Sequence, residues 1–111
     1  METRYARLSP SPPPTPWTCS REEWQDWING PHHKPCLARE RLDDYTVDLG
    51  FTGRWTGPAW ETPRFFSLNV RHPLRTCEEF RFETYEQARE VSRCVLEECH
   101  RRAKKEVRTY P

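Results

Sequence analysis

Two groups of residues in this 111-residue sequence are of types that do chemistry. The first is Arg54-Trp55-Thr56-Gly57-Pro58-Ala59-Trp60. Trp and Arg dominate protein-binding hot spots, because a large aromatic ring fills a pocket while a guanidinium pairs at its rim. Arg54, Trp55 and Trp60 are therefore candidate anchors for a partner protein. The same indoles could instead tuck beneath their own loop as a satellite of the core, since a small domain poor in aliphatic residues needs aromatic burial. The second group is Cys19, His32, His33 and Cys36, which offers thiolate and imidazole ligands. Structural zinc is usually held by two close ligand pairs; here Cys19 stands alone and no Cys-x-x-Cys occurs, so no metal site is expected.

Catalytic patterns are missing: there is no phosphate-binding Gly loop, no Gly-x-Ser-x-Gly elbow and no His-Glu-x-x-His. Cys99 and His100 are adjacent on a helical stretch and point in different directions, so they do not form a dyad. The expectation is a non-enzymatic chain without a cofactor.

The formal net charge of +1 gives no global field to attract a polyanion, so nucleic-acid binding would need a local patch. The one basic run is Arg101, Arg102, Lys104, Lys105 and Arg108, at the end of a helical stretch where cations also suit the helix dipole. No stretch approaches the roughly twenty apolar residues of a membrane helix. Five cysteines at irregular spacings fit a reducing compartment better than a disulfide framework. A soluble, cytoplasmic chain with no membrane partner is expected.

Residues 1–16 contain five prolines and read as a flexible proline-rich tail, followed by a single α+β domain over 17–111. Within the tail, Arg7 is followed by Pro10 and Pro13. A polyproline II helix repeats every three residues and would set these on one edge, the spacing of SH3 ligands.

The domain reads as αβββα. Ser20 and Glu23 form a capping box ahead of Trp24, Trp27 and Ile28, and Asn29-Gly30-Pro31 stops that helix. Residues 35–42 suggest a further helical turn. Tyr45, Val47, Leu49 and Phe51 alternate with smaller or polar residues as a first strand; Phe66, Leu68 and Val70 mark a second; Phe80 and Phe82 supply the inner face of a third. Thr84 and Gln87 cap a long C-terminal helix whose apolar stripe is Ala88, Val91, Val95, Cys99 and Ala103, widened by Leu96 and Val107. That helix should cover one sheet face, with Cys94 and Cys99 as small buried hydrophobes.

A helix, three antiparallel strands and a long helix, with Gly57-Pro58 before the second strand, resembles the layout of a double-stranded-RNA-binding domain over residues 20–105. In that family the second helix opens with a basic cluster. The matching turn here is Tyr85-Glu86-Gln87, with Glu90 one turn on, and the basic residues sit at the opposite end. The layout is also similar to plant AP2-type and integrase arm-binding modules, which read DNA with the outer sheet face. That face would offer Thr46, Asp48, Phe65, Ser67, Asn69, Arg71, Arg81 and Glu83, mixed in charge. The leading expectation is an adaptor- or inhibitor-like domain that binds a protein through the Arg54–Trp60 loop and the sheet face. The alternative is a small nucleic-acid-binding module using Arg101, Arg102, Lys104, Lys105 and Arg108.

Overall fold

The structure, a computed structural model, describes residues 1–9, 13–31, 33, 36–42 and 44–109, without the side chains of 75, 76 and 103–109. It corrects the three-stranded αβββα expectation. Among the described residues, seven strands form two antiparallel sheets, of three and four strands, and the fold is mostly β. The strands are β1 (Glu2–Ser9), β2 (Thr15–Cys19), β3 (Cys36–Leu42), β4 (Tyr45–Phe51), β5 (Arg54–Gly57), β6 (Phe66–His72) and β7 (Arg75–Phe82); the helices are α1 (Arg21–Ile28) and α2 (Tyr85–Thr109).

The smaller sheet has the order β2-β1-β5. Residues expected to lie outside the fold thus supply its central strand, and Ala6 is fully buried. Prolines did not prevent this, because none falls within β1 and the one inside β2, Pro16, sits on an edge strand. A missing backbone N–H is tolerated there. β5 occupies part of the expected loop and pairs with β1 from Glu2↔Gly57 to Tyr5↔Arg54.

The larger sheet has the order β3-β4-β6-β7. The expected meander of β4, β6 and β7 is present, and β3 replaces the expected helical turn at its edge, paired with β4. The central residues of β3 are Ala38, Arg39, Glu40 and Arg41, all exposed, and such a charged edge strand carries no apolar alternation to reveal it. On the inner face Val47, Leu49 and Phe51 stand opposite Val70, Leu68 and Phe66. The long helix α2 packs on this face: Ala88 and Cys99 are buried, while Val91, Val95 and Leu96 are half-buried against the core. Cys94, expected to be buried, is exposed. Register places Phe80 opposite Leu68, yet on the edge strand β7 it remains 40% exposed.

Both helices start as their sequences dictate. The Ser20 hydroxyl accepts from the Glu23 amide at 3.2 Å and the Glu23 carboxylate accepts from the Ser20 amide. Gln87 and Thr84 repeat the exchange at α2, at 3.2 and 3.3 Å. α1 turns its aromatic side inward: the Trp24 ring lies 5.1 Å from Tyr5 of β1, and Trp27 meets Phe51 edge-on at 5.7 Å. The chain crosses between sheets at Thr52-Gly53, where Gly53 adopts φ 67° and its carbonyl accepts from the Ala6 amide at 2.8 Å.

Candidate functional site: a clamped turn presenting Trp60

β5 leads into a β-turn over residues 58–61, closed by the Glu61 amide donating to the Pro58 carbonyl at 3.1 Å. Its third residue is Trp60. The Arg4 guanidinium, reaching across from β1, donates to the carbonyls on both sides of Trp60: to Glu61 at 3.2 Å and to Ala59 in a short contact. The Glu61 carboxylate in turn pairs with Arg64 at 3.5 Å. Trp60 is therefore 85% exposed on a backbone held at both flanks.

Trp55 behaves differently. It is half-buried against the core, with the guanidinium carbons of Arg64 and Arg81 at 5.6 and 5.8 Å from its ring centroid, within cation–π range. Its indole N–H is buried and makes no hydrogen bond among the described residues. A Cβ at Gly57 would lie 2.9 Å from that nitrogen, so glycine is needed for the ring to fit. Arg81 also ties the region together, donating to the Arg54 carbonyl and the Thr52 hydroxyl at 2.8 Å each and to the Arg64 carbonyl at 2.9 Å. Trp55 and Arg81 thus form the base beneath the Trp60 turn. Sequence reasoning grouped the two tryptophans, missed Arg4 and placed Arg81 only on the outer sheet face, because their partners lie 55 and 17–29 residues away.

The remaining expected partner-binding residues lie apart from that base. Arg54 is exposed and its pairing with Tyr5 puts it on the same face of the small sheet as Arg7, opposite to the face of Trp55. Arg7 is a strand residue whose guanidinium sits 5.8 Å over the ring of Trp17, which is 56% exposed and was not singled out from the sequence. The Pro13 carbonyl accepts from the Thr15 hydroxyl at 2.9 Å, and Pro10 lies outside the described residues.

Among the basic residues of α2, Arg101 and Arg102 both pair with Glu98, at 3.0 and 3.3 Å. The side chains of Lys104, Lys105 and Arg108 lie outside the described set. Of the residues expected on the outer face of the larger sheet, Ser67 and Asp48 are buried, and Phe65 instead precedes β6 and belongs to the core beside Phe51. Asp48 accepts from Arg39 at 2.7 Å and from Arg71. Burial alone would raise its pKa; hydrogen bonds and charge from the two arginines outweigh burial and hold the carboxyl below its ordinary range.

Of the zinc candidates, Cys19 is half-buried, and burial pushes its thiol pKa up. The Cys36 thiol donates to the Ala38 carbonyl at 3.3 Å, His33 stacks edge-on against Trp27 at 4.6 Å, and His32 lies outside the described residues. No group of three or more His, Cys, Asp or Glu among the described residues is placed to hold a metal ion. All five cysteines are unpaired, and no described helix is long and apolar enough to cross a membrane. Compared with known proteins, the chain matches no family model, no curated protein and no solved structure.

Proposed function

We propose that this chain is a non-enzymatic protein-interaction domain that inserts Trp60 into a pocket on a partner protein. The observation that carries this reading is the combination of 85% exposure at Trp60 with a backbone clamped by Arg4 on both sides. An indole left in water forgoes the favourable burial of a large apolar ring, and a fixed backbone lowers the ordering entropy on binding. Both features suit a binding anchor, and the exposed ring contributes nothing to the isolated fold. Arg54, on the opposite face of the small sheet from Trp55, is not part of this anchor. Five unpaired thiols support a reducing, intracellular setting.

The nucleic-acid reading loses support from the acidic opening of α2 at Glu86 and from the pairing of Arg101 and Arg102 with Glu98. One experiment separates the two: fluorescence anisotropy against labelled double-stranded RNA, double-stranded DNA and single-stranded DNA at about 50 and 200 mM salt, the range in which phosphate contacts lose affinity steeply. The protein-binding reading expects no binding to any of them at the lower salt. Tight binding that collapses at the higher salt would replace it.

A further inference from the structure

At one end of the outer face of the larger sheet lies an open depression of about 540 Å³ lined by Arg39, Arg41, Thr46, Arg71, His72 and Cys77, with Asp44 and Pro73 completing it. Its floor follows from register. Arg41 pairs with Thr46 and Thr46 with Arg71, so two arginines flank one hydroxyl in a single row across β3, β4 and β6. Arg39 stands in the next row, opposite Asp48. Adjacent strands are about 4.8 Å apart, so three long side chains rise from a patch about 10 Å wide.

Asp48 organises them. It is 8% exposed and takes the Arg39 Nε–H at 2.7 Å and one Nη2–H of Arg71. A guanidinium has five N–H groups, so each arginine keeps outward donors after this contact, and both side chains remain about half exposed. Asp44 at the rim is the other carboxylate of the depression, and Glu79 in the row of Asp48 is engaged by Arg81 at 3.5 Å. Arg41 makes no hydrogen bond or ion pair among the described residues, although it lines the same space. Among the described residues, three arginines thus share two carboxylates, one of them buried beneath.

We propose that this depression binds a phosphate group, either free or as a monoester on a small organic moiety, between Arg41, Arg71 and the Thr46 hydroxyl, with Arg39 completing the cradle. Planar guanidiniums match the oxygen spacing of phosphate in paired, charge-assisted hydrogen bonds, and a neighbouring hydroxyl supplies one more donor. Asp48 is a positioning residue: by fixing one edge of Arg39 and Arg71 it aims the rest of each fork outward. The site stands on observations independent of the Trp60 turn.

The test is calorimetric titration of the full chain with inorganic phosphate and, in a second arm, with O-phosphoserine, in chloride buffer. Saturable binding in at least one arm is expected, the tighter arm identifying the free or the esterified group. Arg41→Gln and Arg71→Gln should each weaken it about tenfold, the scale of one lost charge-assisted contact, while Trp60→Ala leaves it unchanged. Because Arg71 also holds Asp48, Arg41→Gln decides the matter if the Arg71 variant folds poorly. Heats that do not saturate in either arm, binding that Arg41→Gln leaves intact, or a single-stranded oligonucleotide that displaces phosphate far below phosphate's own binding range would overturn the proposal.

Discussion

Gly53 and Ala6 meet so closely that no side chain fits between them. The Ala6 amide donates to the Gly53 carbonyl at 2.8 Å, and a Cβ on residue 53 would collide with the Ala6 carbonyl oxygen and lie 2.7 Å from the Trp24 indole nitrogen. This contact joins the first strand, the crossing point between sheets and α1. At φ 67° the position also lies in the left-handed region, where glycine alone is unstrained. Gly53→Ala should therefore destabilise the fold by about 3 kcal/mol or more, the sum of backbone strain and overpacking. Urea denaturation monitored by tryptophan emission measures it, and a loss below about 1 kcal/mol would show that the junction relaxes freely.

What the sequence shows and conceals follows from where each signal resides. The capping boxes at Ser20 and Thr84 and the alternation in β4 and β6 are local, so α1, α2 and the central strands are legible from residue types alone. β2 and β3 are not, because edge positions tolerate Pro16 and charged Arg39, Glu40 and Arg41, and the central strand β1 is not, because its identity as a strand rests on partners elsewhere in the chain. Glu2 pairs with Gly57 across about half the chain. The site divides in the same way: an exposed Trp and a packed Trp look identical in sequence, and the Arg4 clamp that distinguishes Trp60 spans 55 residues.

Trp55 should act as a packing residue. Trp55→Phe keeps an aromatic surface between Arg64 and Arg81 and removes a buried N–H that has no partner among the described residues, so a change within about 1 kcal/mol is expected. Trp55→Ala should cost about 2–3 kcal/mol, somewhat below a full core truncation because the ring is half-buried. Equal stability of the Phe and Ala variants would remove Trp55 from the base of the turn.

Asp48 couples stability to acid pH. Its carboxyl pKa is lowered in the folded chain, so as pH falls the unfolded chain binds the proton first. Its contribution is intact above the ordinary carboxylate value of about 4 and is lost as pH falls below that value through the folded one. Asp48→Asn should lower stability at pH 7 by about 1–2 kcal/mol, between exposed and buried pairs, and flatten the stability profile below about pH 4. An acid limb as steep as in the parent would assign it to other carboxylates.

The thiols should differ in reactivity. Cys77 and Cys94 are exposed, whereas Cys99 is 3% exposed and burial, reinforced by Glu98 and Glu78 against the pull of Arg102, pushes its pKa up. The reactive species is the thiolate, so under native conditions at neutral pH a thiol probe should label Cys77 and Cys94 first and Cys99 last, about tenfold or more slower. Mass spectrometry of the labelled peptides reads the order, and early labelling of Cys99 would mean that α2 opens readily from the sheet.

The central claim concerns Trp60, and quantitative affinity capture from the protein's own cells, run in parallel with the parent chain and with Trp60→Ala, tests it most directly. Removing a side chain that is 85% exposed should leave stability within about 0.5 kcal/mol, so a change in captured protein reports on contact and not on folding. The account predicts that a defined partner recovered with the parent is lost with Trp60→Ala and retained with Arg101→Gln. The same partners recovered equally by the parent and the folded Trp60 variant would contradict it.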